Sequence, residues 1–442
     1  MKKMSIKFLV LLMGIMLFTA CGKKEASDKS EDSKSAGKSG NTVTIEFMHS
    51  MVEQERLDQI NLIIADFEKE NPGIKIKQIP VDEDSYQTKV TTLGSSGKLP
   101  AVIEVSSNYA KVMAKNEFVD YESVNKVISD KNAESFYDGA LRVLKTEDGE
   151  NYIAIPISGW VQGVWYNKKM FKEKGLKEPE TWEDILAAAK AFNDSANKKF
   201  GIALATANGV MTEQVFSQFA LSNSANVLDT NGKASLDTPE MKEAIEYYKE
   251  LSKYTMPGSN DVSQIKDAFL SGAVPMAVYS TYILPSAYKE GMTADLGFTI
   301  PTKKQGSAFG VISALTITSG LDENQKIAAE KFIAFMLKDQ ANAKWILMSP
   351  GGLQPVIKSV ASSQEYTSNE VVKTFESFSA DLTTSFNNLQ MFGVVGDKNF
   401  VVMGDITNAG IIGKMINEVV VNNAGISDSM KKAQQEIEEI IK

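Results

Sequence analysis

Two residue types that carry much of protein chemistry occur only once each in this chain: the histidine His49 and the cysteine Cys21. A single cysteine excludes an intrachain disulfide and any metal site built from several cysteines. A single histidine excludes the zinc motifs that need two or more histidines. The chemistry open to the chain is therefore that of carboxylates, amides, hydroxyls and aromatic rings, and we expect no metal and no cofactor.

Polar side chains stand where three predicted strands end. His49 follows the first strand, Asp84 lies on the loop after the second, and Asn108 follows the third. In a parallel sheet flanked by helices, ligands bind beyond the carboxyl ends of the strands. These residues are therefore candidates for hydrogen bonds with a polar ligand. The alternatives are a histidine bonded to backbone, a solvated acidic loop, and a helix N-cap at Asn108, for which Ser107 competes.

Residues 152–168 are predicted to form two short strands broken at Ser158-Gly159, with Trp160 just past the break. Pro156 cannot donate to a sheet ladder, and glycine tolerates backbone angles that other residues avoid. Such a break would let the chain pass from one sheet to another and leave an aromatic ring at the mouth between them. The segment is interpreted as a hinge crossing with a ligand contact at Trp160; the alternative is a β-bulge with a core tryptophan.

The first 20 residues have the pattern of a signal peptide. A basic head is followed by an apolar stretch over residues 8–18 and then by Thr-Ala-Cys ending at Cys21. This end resembles the lipobox of bacterial lipoproteins, although Phe18 stands where an aliphatic residue is usual. Acyl chains on Cys21 would anchor the protein at the extracellular face of the membrane; the alternative is an ordinary secretory peptide. Residues 21–41 are predicted to be a flexible tether, because no large apolar residue follows Cys21.

Length and charge limit the remaining possibilities. At 442 residues the chain exceeds what one hydrophobic core supports, so we expect two lobes or domains. The net charge of -9, with no basic cluster in the body of the chain, argues against nucleic acid as a partner. After the signal peptide, no apolar run approaches the roughly 20 residues that span a bilayer.

The body of the chain alternates between strands and helices. Residues 42–105 follow the order strand, helix, strand, helix, strand, which is typical of a parallel α/β sheet. After Trp160 the alternation of strands and helices continues. Strands are predicted over residues 200–205, 272–279 and 311–318. Helices are predicted over residues 182–192, 212–221, 239–254, 262–270, 323–338 and 340–348. The sequence after residue 352 is mainly helical, and residues 385–408 resist assignment.

Several short motifs, taken in order, resemble the extracellular solute-binding proteins of ABC importers, specifically the sugar-binding group related to maltose-binding protein. The resemblance covers nearly the whole mature chain. The motifs are DFEKENPGI at 66–74, GKLP at 97–100, IP at 155–156, WYNK at 165–168, PETWED at 179–184, FLSG at 269–272, PMA at 275–277 and GGLQP at 351–355. Any one of them alone would be weak, but their order and spacing are specific.

The resemblance implies an α/β fold of two lobes, each a mixed, mostly parallel sheet flanked by helices, with ligand held in the cleft between them. Lobe 1 would comprise residues 42–157 plus 310–353, and lobe 2 residues 158–309 plus 354–442. Hinge crossings would lie near residues 156–160, 309–313 and 351–356. Ala101 and Val105 depart from residues that are common in relatives, so ligand specificity cannot be copied from any one member.

The resemblance also implies ligand-binding residues, because sugar hydroxyls suit amides and carboxylates while apolar ring faces suit aromatic side chains. Matched to this chain, the candidates are Trp160, Tyr282, Tyr279, Asn108, Glu213, Gln214, Phe309 and Gly310, together with His49 and Asp84 from the strand ends. Trp160 follows the first crossing, and Tyr282 corresponds to an aromatic platform; the alternative for Tyr282 is a ring packed on the surface. Gly310 would serve through close backbone approach rather than a side-chain contact.

The favoured function is a lipid-anchored receptor, a monomer, that captures a carbohydrate such as an oligosaccharide and delivers it to separate permease and ATPase subunits. We expect no enzymatic activity. The alternatives are a secreted glycosidase that uses Asp84 and Glu213 as acid and base, a binder of another small polar solute, and an adhesive or scaffolding lipoprotein. The absence of an arginine cluster at the strand ends disfavours an anionic ligand.

Overall fold

The computed structural model describes residues 42–442. The predicted signal peptide, the anchor residue Cys21 and the tether therefore lie outside the described residues. Strands over seven segments make up one sheet: β1 Val43–His49, β2 Ile74–Pro80, β3 Val102–Ser106, β4 Ile155–Asn167, β5 Met276–Ser280, β6 Leu296–Thr299 and β7 Phe309–Ile317.

Helices cover most of the remaining described chain. The α-helices are α1 Gln54–Glu70, α2 Glu83–Ser95, α3 Ser107–Lys115, α4 Tyr121–Lys131, α5 Asp138–Arg142, α6 Lys168–Glu173, α7 Trp182–Phe192, α8 Val210–Ser222, α9 Pro239–Ser252, α10 Val262–Leu270, α11 Leu284–Lys289, α12 Glu323–Met336, α13 Asp339–Ile346, α14 Lys358–Ala361, α15 Gln364–Thr367, α16 Glu370–Thr374, α17 Ser379–Thr384, α18 Phe400–Asn408, α19 Ile411–Val420 and α20 Ile426–Ile440. Short 3₁₀ helices are Ala133–Ser135, Ser195–Asn197, Thr281–Ile283, Glu376–Phe378 and Ser385–Asn388.

The first three strands and their helices form because apolar residues recur with the right period. Along α1, Ile60, Ile64 and Phe67 are spaced three to four residues apart, so they share one buried face. Phe332 of α12 packs between the sheet and this helix, with its ring centroid 5.2 Å from that of Phe47 and 5.2 Å from that of Phe67. The predicted strand and helix order over residues 42–105 is therefore confirmed.

The sheet has the strand order β2-β1-β3-β7-β4-β5, with β6 paired to β4. The pairings of β1 with β2 and β3 are parallel, whereas β7 is antiparallel to both β3 and β4. The first part of β4 pairs with β7, and its later part pairs antiparallel with β5 and β6. The strands β4 and β7 thus connect the two parts of a mixed α/β sheet.

The predicted break at Ser158-Gly159 is wrong, because β4 runs without interruption through this point. The irregularity lies two residues earlier, where the register with β7 shifts between Pro156 and Ser158. Such a bulge accommodates a proline, which cannot donate to the ladder. Gly159 is needed for another reason: a Cβ there would lie 2.8 Å from the Phe386 ring. The bulge of the alternative interpretation is present, but Trp160 is only half-buried and is not a core residue.

Two further local predictions need correction. The segment 200–205 is not a strand, although Ala203 forms a single parallel bridge with Ala277 of β5. The N-cap of α3 is Ser106, whose side chain accepts a hydrogen bond from the Tyr109 N–H, so neither Ser107 nor Asn108 caps this helix. Asn108 is consequently left exposed at the helix start.

Candidate functional site

A cavity of about 210 Å³ lies where α3, α8 and α18 converge with the start of β7. Its wall is partly apolar, from Val112, Phe392 and Phe400, and partly polar, from amide, hydroxyl and carboxyl groups. No lysine or arginine is among the lining residues of this cavity in the described chain. A partly apolar wall with a few converging polar groups is the usual composition of a small-molecule site.

Four of the predicted site residues line this cavity: Asn108, Glu213, Gln214 and Phe309. They come from three distant parts of the chain and are brought together by α3, α8 and β7. Asn108 is exposed and Gln214 is half-buried, so their amide groups are accessible. Their role in ligand binding stays a prediction.

Glu213 is the one lining residue with an ionisable carboxyl group within the described chain. It is 7% exposed, and its Oε1 accepts a hydrogen bond from Thr407 Oγ1 on α18 at 2.5 Å. Burial raises the pKa of this carboxyl to about 7, and the Thr407 hydrogen bond opposes only part of that rise. The group therefore stands between its neutral and charged forms near neutral pH and can either donate or accept a hydrogen bond.

An aromatic row extends from the cavity wall. The Trp160 ring centroid lies 5.7 Å from that of Phe309 and 6.5 Å from that of Tyr282. Tyr282 is 38% exposed, and desolvation of its hydroxyl raises its pKa to about 12. Three rings from β4, β7 and the 3₁₀ helix Thr281–Ile283 thus form one aromatic row. In this row Phe309 is buried, Trp160 is half-buried and Tyr282 is exposed.

Other predicted site residues lie apart from the cavity lining. His49 is fully buried, and its Nε2 is within 2.9 Å of Gln78 Oε1; burial lowers its pKa. Tyr279 is 7% exposed, and its carbonyl accepts the indole N–H of Trp165 at 2.8 Å. In this conformation the hydrogen-bond partners of both residues are other residues of the protein.

The two remaining candidate residues are Asp84 and Gly310. Asp84 lies in the first turn of α2, and its side chain is outside the described part of the structure. Gly310 packs tightly, because a Cβ there would lie 2.4 Å from the Trp160 carbonyl oxygen; its approach to a ligand stays a prediction. The tight packing is between β7 and β4 of the protein itself.

Within residues 42–442, no group of three or more His, Cys, Asp or Glu side chains lies close enough together to hold a metal ion. None of the helices in the same range is long and apolar enough to cross a membrane.

Two features near the site were not predicted from the sequence. Glu104, inside β3, accepts hydrogen bonds from Ser50 and from Ser313 of β7 at 2.9 Å each, and so joins β1, β3 and β7. A glutamate within the apolar run at 101–105 was the available signal. The segment 385–408, which resisted assignment, supplies Phe392 and Phe400 to the cavity, whereas the Asn399 amide donates a hydrogen bond to the Asp229 carbonyl.

Comparison with known proteins gives a consistent picture. The family model of bacterial extracellular solute-binding proteins matches residues 53–343. A putative ABC transporter periplasmic-binding protein of Escherichia coli (strain K12), YcjN, is 49% identical over 90% of this chain and 93% of its own. The multiple sugar-binding protein of Streptococcus mutans serotype c is 27% identical over 78% of this chain and 80% of its own.

Solved structures agree at the level of the fold. The sugar-binding protein MalE of Xanthomonas citri superposes with a TM-score of 0.76 at 16% identity and covers 90% of this chain and 97% of its own. At this identity the likeness establishes architecture alone. It confirms the predicted two-lobed α/β fold, while the lobe boundaries at residues 157, 309 and 353 stay predictions.

Proposed function

Because the chain belongs to the family of bacterial extracellular solute-binding proteins, we propose that it captures a carbohydrate for an ABC importer. The ligand is an oligosaccharide or similar neutral polyhydroxylated solute, held by Asn108, Glu213, Gln214 and the aromatic row. Separate permease and ATPase subunits then carry it across the membrane. The protein itself acts as a monomer and leaves the ligand chemically unchanged.

The observation that carries this proposal is the composition of the cavity wall and of the aromatic row beside it. Amide and hydroxyl groups suit sugar hydroxyls, and the strip of Trp160, Phe309 and Tyr282 suits the apolar faces of pyranose rings. A wall without lysine or arginine, within the described residues, does not favour an anionic solute. The names of the relatives, one a multiple sugar-binding protein, point the same way.

The location follows from the N-terminus of the sequence. The lipobox-like end at Cys21 supports acylation and retention at the outer face of the membrane. Cys21→Ser removes the acceptor of the acyl chains, so radiolabelled fatty acid supplied to growing cells should label the wild type and not this variant. A wild-type protein that takes up no label would exclude the lipid anchor.

A panel of neutral sugars, screened by thermal unfolding, tests the proposed ligand class. A true ligand present at 100 times its dissociation constant should stabilise the protein by about 2.7 kcal/mol. Sugar phosphates and amino acids serve as comparison groups. A panel in which no sugar raises the melting temperature would reject carbohydrate binding, and release of shorter sugars from an oligosaccharide would indicate a glycosidase.

A matched pair of asparagines tests the cavity itself. Asn108 and Asn324 are both exposed and both stand second in their helices, α3 and α12, but only Asn108 lines the cavity. Asn108→Ala should weaken sugar binding about fivefold, the factor for a hydrogen bond of about 1 kcal/mol, and Asn324→Ala should not. Equal affinities in a calorimetric titration would remove Asn108 from the site.

Fluorescence reports on the aromatic row. Trp160 is half-buried, whereas Trp165, Trp182 and Trp345 are at most 2% exposed and cannot all be replaced without damage to the core. The single change Trp160→Phe is therefore the better design. We expect a ligand-dependent change in emission in the wild type that is largely lost in this variant; a retained change would place the ligand elsewhere.

A further inference from the structure

The chain contains only two arginines, Arg56 and Arg142, among its 47 basic residues. Arg142 ends α5, and its guanidinium makes two contacts with one distant segment. Nη1 lies 2.5 Å from Asp397 Oδ1, and Nη2 donates to the Leu389 carbonyl oxygen at 2.8 Å. Two donors in a planar fork can hold two acceptors at once, which the single ammonium of lysine does less well.

The segment that Arg142 holds, residues 389–400, is here called the wall segment. It supplies the side chains of Met391, Phe392, Val394 and Phe400 to the lining of the candidate ligand cavity. Arg142 does not line that cavity. Any influence of Arg142 on a ligand there must therefore pass through the position of the wall segment.

The wall segment is tied to both predicted lobes. Toward the second, the Gly393 N–H donates to Asn226 Oδ1 at 2.6 Å, and the Gln390 N–H donates to the Ala308 carbonyl at 3.0 Å. Toward the first, the Asn399 N–H donates to Glu147 Oε1 at 3.0 Å, beside the Arg142 contacts. The segment therefore bridges the groups that a hinge motion would separate.

Apolar packing holds part of this segment, and another part borders open space. A second cavity, of about 410 Å³, borders it and shares Met391, Val394 and Phe400 with the first. Arg142, Leu389 and Asp397 line this second cavity. Leu389, Phe392 and Phe400 are buried, whereas Val394 and Asp397 remain partly exposed beside the second cavity. Polar contacts therefore add to apolar packing in setting the position of the segment.

We propose that Arg142 is a positioning residue for the ligand cavity: by holding Leu389 and Asp397 together it keeps the wall segment closed over the bound solute. This inference rests on the proposed carbohydrate-binding function. The ion pair is partly exposed, with 43% and 32% of the two side chains accessible. An ion pair this exposed contributes little to the folding stability of the free protein. We therefore expect it to affect the lifetime of the bound state instead.

The test measures the dissociation rate of the tightest sugar from the panel by stopped-flow tryptophan fluorescence. Arg142→Ala and Asp397→Asn should each accelerate release, by about 10-fold for the first, which is the factor for about one charge-assisted hydrogen bond. Arg142→Lys should fall between the wild type and Arg142→Ala. The unliganded melting temperature of each variant should stay close to that of the wild type.

A double variant and a matched control complete the design. If the two residues act as one unit, Arg142→Ala combined with Asp397→Asn should release sugar little faster than Arg142→Ala alone. Lys126→Ala removes a surface ion pair with the same N–O distance of 2.5 Å, to Asp130, and should leave the release rate unchanged.

The outcomes separate this inference from the function on which it rests. A wild-type protein that binds sugar, with an unchanged release rate in Arg142→Ala, overturns the role of Arg142 and leaves the function standing. A wild type that binds no sugar overturns both. Should Arg142→Ala fail to fold, the milder Asp397→Asn decides: unaltered release in that variant also overturns the inference.

Discussion

Glu213 is almost completely buried, accepts a hydrogen bond from a single hydroxyl group and lines the cavity. Its pKa rises from the ordinary 4.5 to about 7 on folding. A carboxyl whose folded pKa is raised binds more protons in the folded state, so stability is highest below the unfolded pKa and falls as pH rises through the folded one. The loss occurs between pH 4.5 and about 7 and amounts to about 3 kcal/mol.

The variant Glu213→Gln should therefore lose less stability over this range. Its amide oxygen can still accept the Thr407 hydrogen bond, but it never carries a buried charge. Urea unfolding at intervals from pH 4.5 to 8 should show the wild-type free energy of unfolding declining relative to that of the variant. Parallel curves for the two proteins would mean that Glu213 does not titrate in this window.

Gly310, in β7, has no room for a side chain. A Cβ would lie 2.4 Å from the Trp160 carbonyl oxygen and 2.8 Å from Leu389 Cδ2, so β7 would have to move away from β4. Gly310→Ala should destabilise the protein by about 1–3 kcal/mol, as overpacked substitutions do. Chemical denaturation measures this directly.

A second glycine, inside a helix, provides the control for the substitution of Gly310. Gly404 lies inside α18, and a Cβ there would meet no atom within 4 Å. Gly404→Ala should therefore stabilise the helix by about 0.5–1 kcal/mol. Both substitutions shifting the free energy of unfolding in the same direction would contradict the packing described for Gly310.

The elements that could be predicted from the sequence are those in which local pattern and tertiary position agree. The helix α7 begins after Thr181, whose side chain accepts from the Asp184 N–H, and its cap was visible in the sequence. In β4, by contrast, Gly159 indicated a break, although its small size serves the approach of Phe386, a residue more than 200 positions away. Such contacts leave no local signal.

The candidate site shows the same contrast between residues with a signal in the sequence and residues placed by long-range contacts. Asn108 is predicted from its place after a strand, and Glu213, Gln214 and Phe309 are implied by the family resemblance; all four line one cavity. The segment 385–408 was not assigned, because its mixture of apolar, polar and glycine residues has no helical or strand period before Phe400. Its position depends on contacts with Arg142, Asn226 and Glu147, which only the folded chain brings near.

At the scale of the molecule, the two parts of the sheet share β4 and β7, and residues 42–442 form one compact unit. Neither part can lose its strands without disturbing the other. We therefore expect one cooperative transition in scanning calorimetry of the unliganded protein, with calorimetric and van 't Hoff enthalpies in agreement. Two resolved transitions would show that the lobes unfold independently despite the common strands.

The pairing of β3 with β7 also affects how the chain is made. The Ser313 hydroxyl and the Glu104 carboxylate that it bonds are 209 residues apart. A chain that leaves the cytoplasm from its N-terminus delivers β3 long before β7, so β3 spends that interval as an unpaired edge on which other chains can add. Long-range pairing of this kind also folds slowly. We expect the early part of this protein to need protection during export until β7 has arrived.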